Sequence, residues 1–185
     1  LRADKAGNLW LGNMYQATIV KFDPKTEKFQ FWTLPADQNI DAAQINMVRA
    51  ESSHVDGKVW TQNNGFAGVH RLDLATGKVE TWEPFKDAKE PHNIYDVIPD
   101  SKNNLYFTDF RHQHIGRIDA KTGEIKLFEA PTPRSAPRRG YPPCGPDKFS
   151  FLDDSAAHAP SLHPKGLRKR LRMAMPISTR PGQNR

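Results

Sequence analysis

The sequence predicts an all-β fold, a β-propeller fragment of four-stranded blades followed by an irregular or disordered C-terminal tail. Three observations carry that expectation. A block of 26 residues occurs three times without gaps, at 7–32, 57–82 and 103–128. Each copy alternates apolar and polar residues with period two, as a sheet with one buried face requires. Residues 1–130 show no helical periodicity.

The copies read GNLWLGNMYQATIVKFDPKTEKFQFW, GKVWTQNNGFAGVHRLDLATGKVETW and NNLYFTDFRHQHIGRIDAKTGEIKLF. In each, a short strand comes first (Leu9 and Leu11; Leu105 and Phe107), then a polar loop, then a second strand IVKFD, VHRLD or IGRID. The turn DPKTE, DLATG or DAKTG follows. Its aspartate (Asp23, Asp73 or Asp119) can accept turn amides, and Gly77 and Gly123 supply a positive φ. The last strand ends in a bulky aromatic. INMV (45–48) and YDVIP (95–99) add one more strand ahead of the second and third copies. Four strands in a repeat of 46–50 residues is the unit of a β-propeller. Repeats lie at about 3–35, 45–85 and 94–130, so residues 1–139 form a partial propeller. Three blades do not close a ring, since propellers use about 4–8. Trp10, Trp60, Trp32 and Trp82 recur at strand positions, which is the behaviour of blade packing.

The net charge of +6 is uneven. Residues 1–139 hold 19 Lys and Arg against 18 Asp and Glu, or +1, which leaves +5 for residues 140–185. A nearly neutral propeller part argues against nucleic acid as its partner. No apolar run approaches the roughly 18 residues of a membrane span. One cysteine, Cys144, excludes an internal disulfide and a cysteine-rich zinc site. The chain starts at Leu1, so it reads as an internal piece with a truncated N-terminus, and the lack of a signal peptide carries no information.

Residues 140–185 form a non-propeller, basic, Pro-rich tail. After APTPRSAPRRG the repeat calls for another inner strand and a strand near 148–151. DKFSF arrives at that spacing without its flanking pattern, and five prolines lie between 142 and 164. GLRKRLRMAM (166–175) has the composition of a short basic amphipathic helix, a nucleic-acid patch or an anionic-surface binder. Out-of-frame translation and a natural disordered tail are the two plainer readings of the segment.

The pattern GNLWxxN…IxxFDPKTxKFxxW, and above all LYFTD–IGRID–TGEIKLFEAPTPRSAP, resembles the virginiamycin B (streptogramin) lyase-like propellers over residues 3–139. NHL and gluconolactonase-like propellers are similar more loosely. The resemblance implies a periplasmic or secreted protein. It also implies Mg²⁺ as the cofactor of an elimination that opens cyclic streptogramins, by a histidine in "PHGI" and a glutamate fourteen residues later in "WFTE". Carried over, Asp109 takes the glutamate position, with Tyr95 fourteen residues earlier. Arg138 takes the histidine slot of the next blade, and Asn13 and Asn63 fill the acid position in the first two repeats. Tyrosine and arginine are poor general bases at neutral pH. His92, three residues before Tyr95, could substitute only with a register shift. Asp109, Tyr95 and His92 are therefore the catalytic candidates.

The expected function is a binding module without the lyase's pair, with a small-molecule or protein ligand at the channel face formed by Asn13, Asn63, Tyr95, Asp109 and Arg138. The alternative is a metal-dependent lyase or lactonase-like hydrolase with its catalytic residues on missing blades. Asp109, His112 and His114 are the metal candidates. The two histidines are expected in a solvated loop pointing away from the axis, where the other copies hold Gln16 with Thr18 and Phe66 with Gly68. His70, in place of Val20 and Gly116, is expected on an outer face.

Overall fold

The computed structural model describes residues 1–130, 135–141, 148–153 and 170–174. The first sheet holds β1 (Arg2–Ala3), β2 (Leu9–Asn13), β3 (Thr18–Asp23) and β4 (Lys28–Thr33). The second holds β5 (Val48–Arg49), β6 (Lys58–Asn63), β7 (Gly68–Asp73) and β8 (Val79–Trp82). The third holds β9 (Ile94–Pro99), β10 (Leu105–Asp109), β11 (His114–Ile118) and β12 (Ile125–Glu129). Each sheet pairs its strands in chain order, and every pairing is antiparallel. β5 approaches β2 of the first sheet and β9 of the third, so the inner strands of successive sheets meet. These are propeller blades.

The core lies between blades. Trp10, Ile19, Leu34, Ile45, Val48, Val59 and Leu72 fill the space between the first and second blades. Trp60, Val69, Ile94, Val97, Leu105, Phe107 and Ile118 fill that between the second and third. The repeated tryptophans are packing residues, as expected. Trp10 stacks on Trp32 at 5.7 Å and Trp60 lies 5.2 Å from Trp82. Their indole N–H groups tie blade to blade: Trp60 Nε1 donates to Asn103 O and Trp82 Nε1 to Gly123 O, both at 3.0 Å. Arg71 lies 5.0 Å from both Trp60 and Trp82. Its Nη1 donates to Ala120 O of the next blade.

The turns follow the aspartates. Asp73 Oδ1 accepts from Ala75 N and Thr76 N, and Asp119 Oδ1 from Lys121 N and Thr122 N. Gly77 and Gly123 stand at φ 72°, and in the first blade Glu27 takes the same left-handed place at φ 55°. A second inter-blade tie lies on the inner strands. Arg49 Nη2 donates to Asp96 Oδ1 at 2.7 Å, with both side chains at most 4% exposed. Gly140 N donates to Asp96 Oδ2 at 3.1 Å, so one buried carboxylate links three sheets.

A fourth sheet follows the third blade. β13 (Pro137–Tyr141), β14 (Lys148–Asp153) and β15 (Arg170–Ala174) form an antiparallel three-stranded sheet. The strands required by the repeat after 136 and near 148 are present. The boundary at 139 falls inside β13. The stretch within 166–175 that carried helical composition is a strand, because it pairs along β14. The rest of the tail lies outside the described residues.

His70 is also corrected. It is fully buried, with Nδ1 3.0 Å from Thr81 Oγ1, and no outer face exposes it. Burial lowers its pKa from 6.5 to about 4.

Candidate functional site at the end of the third blade

β10 ends at Asp109, which is 0% exposed. Its two carboxylate oxygens have different tasks. Oδ1 accepts from Asn93 N at 3.1 Å and Arg111 N at 3.3 Å, which closes the loop into β9 and the loop out of β10. The second blade does the same work with an amide: Asn63 Oδ1 accepts from Gln44 N at 2.9 Å. In the first blade Asn13 Oδ1 accepts from Tyr15 N at 3.2 Å. Oδ1 of Asp109 is therefore a repeat feature that any Asn or Asp supplies.

Oδ2 is peculiar to the third blade. His92 Nδ1 donates to it at 2.6 Å, and His114 Nδ1 lies 3.7 Å away, beyond hydrogen-bond distance. His114 Nδ1 is buried with no hydrogen-bond partner. Phe85 lies parallel to the His92 ring at 4.0 Å, and His112 packs on it at 4.1 Å. His112 Nε2 reaches Pro91 O at 3.2 Å, which fixes it to the loop that carries His92. The result is a walled His–Asp–His cluster.

A bulge and a loop together bring His92 to it. Thr108 pairs with Asp96, but the next residue, Asp109, pairs with Ile94, so Tyr95 is the extra residue on β9. Bulges re-aim side chains in this way. The bulge takes up one residue, Tyr95, and His92 reaches the acid from the loop ahead of β9. Of the two histidines expected in a loop, His112 does lie in the turn and is partly exposed, whereas His114 is not in the turn. His114 opens β11 directly opposite Asp109.

The channel-face residues do not form one ring. Period two along β10 puts Phe107 and Asp109 on one face and Thr108 and Phe110 on the other. Tyr95 and Arg138 belong to the second face. The Arg138 guanidinium lies 5.1 Å from both the Tyr95 and Phe110 rings, and its carbonyl accepts from Thr108 Oγ1. Asn63 is fully buried in its own blade, and Asn13 is held by Gln16 within its own loop. The wall residue Phe85 was not singled out in the sequence, because the repeats align only as far as position 82 and its equivalents. The Arg49–Asp96 pair was missed too. Its signal was opposite charges inside otherwise apolar inner strands.

Chemically, the cluster can do two things. A histidine whose Nδ1–H is held by a buried carboxylate presents its other nitrogen as a lone pair, the arrangement of an oriented general base. Two imidazoles and a carboxylate that converge can also hold a cation. His92, Asp109 and His114 place one ligand atom each within 4.8 Å of one another, and they are the one such group among the described residues.

No protein-family model matches the sequence, and no curated protein does. Solved structures do. A catalytically inactive variant of virginiamycin B lyase from Staphylococcus aureus, with quinupristin, is 21% identical with a TM-score of 0.67, covering 84% of this chain and 48% of that one. A streptogramin B lyase is 16% identical with a TM-score of 0.62, covering 94% of this chain and 53% of that one. The WD40 repeats of RRP9 are 10% identical with a TM-score of 0.63, covering 83% of this chain and 42% of theirs. The chain thus spans about half the length of these structures. Among the described residues no helix is long and apolar enough to cross a membrane. At these identities the likeness is one of fold: the chain is part of a β-propeller built like that of virginiamycin B lyase.

Proposed function

We propose that this chain is a ligand-binding part of a propeller, with its site at the end of the third blade around His92, Asp109 and His114. The observation that carries the reading is the division of labour in Asp109. Oδ1 performs the loop closure that Asn63 performs in the second blade, while Oδ2 faces only histidines. Gln44 N and Asn93 N make the same bond to Asn63 and Asp109, so the second blade holds Ala43, Asn63 and Gly68 at the equivalent positions and folds without this cluster. The test is a ligand-observed NMR screen with small carboxylates, carboxamides and lactones. Compounds that bind the native chain should lose binding with Asp109→Asn, whereas equal binding to both chains refutes the site.

A second reading, a metal-dependent lyase or lactonase-like hydrolase, draws on the 2.6 Å His92–Asp109 bond as an oriented base. Quinupristin incubated with the chain and Mg²⁺ separates the two readings. Ring opening, read by chromatography and fragmentation as a linear isomer of the same mass for elimination or as a product heavier by one water for hydrolysis, and abolished in His92→Ala, favours the enzyme. Recovery of cyclic quinupristin alone favours the binding module.

A further inference from the structure

We infer that His92, Asp109 and His114 form a site for a Zn²⁺-class transition-metal ion, a conclusion that rests on the site proposed above and names its ligand. Three observations support it. The three ligand atoms lie within 4.8 Å of one another. His114 Nδ1 is buried with no hydrogen-bond partner, although it points at Asp109 Oδ2 from 3.7 Å. A buried imidazole nitrogen left unpaired beside a carboxylate is placed to share an ion with it. The corresponding residues in the second blade are Ala43, Asn63 and Gly68, which cannot form the set.

The donor chemistry selects the metal. Two imidazole nitrogens suit Zn²⁺, Ni²⁺, Cu²⁺ or Fe²⁺, whereas Mg²⁺ prefers an all-oxygen shell. Tetrahedral Zn²⁺ with bonds of about 2.0–2.1 Å keeps its ligand atoms roughly 3.3–3.4 Å apart. Asp109 Oδ2 stands 2.6 Å from His92 Nδ1 and 3.7 Å from His114 Nδ1, so the two distances bracket that spacing. The set as a whole lies within 4.8 Å, so both rings must turn inward to close on an ion. Asp109 Oδ1 would stay on the amides of Asn93 and Arg111, which fixes the carboxylate while Oδ2 turns to the ion. Phe85 and His112 clamp the His92 ring from its faces. Three protein ligands leave a further position open, as in sites where an ion also takes water or an external ligand.

The test is isothermal titration of the full chain with Zn²⁺, repeated with Co²⁺ to read its visible d–d bands. The expected result is one equivalent bound, with affinity at least tenfold weaker in His114→Gly and in Asp109→Asn. Excess Mg²⁺ should not compete. Two control chains separate this site from other histidines: His54→Gln, and the pair His158→Gln with His163→Gln. Both should bind as the native chain does. Thermal melts of each variant should show a folded propeller. Should His114→Gly fail to fold, Asp109→Asn alone carries the comparison, since Asn63 occupies that position in a folded blade. No binding, binding that survives Asp109→Asn, or binding lost with the tail histidines overturns the metal site. If small organic ligands still depend on Asp109 while Zn²⁺ does not bind, only the metal assignment fails. If neither depends on Asp109, both readings fail.

Discussion

At the residue scale, Asp109 shows how one side chain can serve fold and site with separate atoms. Replacing it with Asn should keep the Oδ1 bonds to Asn93 N and Arg111 N and lose only the charge facing His92. Loss of a charge-assisted bond costs about 1.5–3 kcal/mol at most. Asp109→Ala should cost more, because it also orphans a loop amide at about 1–3 kcal/mol. Urea melts of the two variants check that order, and equal losses would mean that Oδ1 has no structural task. His70 gives a pH dependence. Its folded pKa of about 4 lies below the unfolded 6.5, so the unfolded chain binds more protons between those values. Its neutral form stabilises the fold fully above pH 6.5, and that stability is lost as pH falls toward 4. At about 1.4 kcal/mol per unit, the loss approaches about 3 kcal/mol. His70→Val, which copies Val20 of the first blade, should flatten the stability curve across that window. A parallel curve for the variant would assign the acid sensitivity elsewhere.

At the element scale, the hairpin turns and inner strands make separate predictions. Glu27 holds the left-handed conformation that Gly77 and Gly123 hold in the other blades. A non-glycine residue there is strained by roughly 1 kcal/mol, so Glu27→Gly should raise the melting midpoint and Gly123→Glu should lower it. The turn aspartates and glycines were readable in the sequence because turn chemistry is local and recurs. The Arg49–Asp96 pair was not, because its partners lie 47 residues apart on different blades and neither falls within the gapless 26-residue block. Breaking it leaves a buried charge, so Arg49→Met should destabilise by about 3–5 kcal/mol. The double variant Arg49→Met with Asp96→Asn should lose much less than the sum of the singles. Strict additivity in denaturant melts would rule out the coupling. The bulge at Tyr95 is the other element that sequence counting misread. A fixed interval of fourteen residues assumes unbroken pairing, whereas His92 stands 17 residues before Asp109: one residue is taken up by the bulge at Tyr95, and the loop ahead of β9 folds His92 back to the acid.

For the whole molecule, the three full blades were legible because a repeated pattern states its own periodicity, and the tryptophans that join the blades repeat with it. The site was legible only in its parts. Asp109, His92 and His114 each stood out by residue type, but the loop that folds His92 back and the strand pairing that sets His114 opposite Asp109 are tertiary facts. The fourth sheet shows the same limit from the other side. β13 and β14 form at the spacing that the repeat requires, although their residues lack its motif. A cluster that the repeat does not need should be removable as a unit. The most direct measurement gives the third blade the residues of the second: His92→Ala, Asp109→Asn and His114→Gly in one chain, followed by a thermal melt and a Zn²⁺ titration. The predicted result is a folded propeller, its midpoint lowered by several degrees at about 2–4 °C per kcal/mol, with Zn²⁺ binding abolished. A chain that no longer folds would make the cluster structural, and one that binds Zn²⁺ as before would place the site elsewhere.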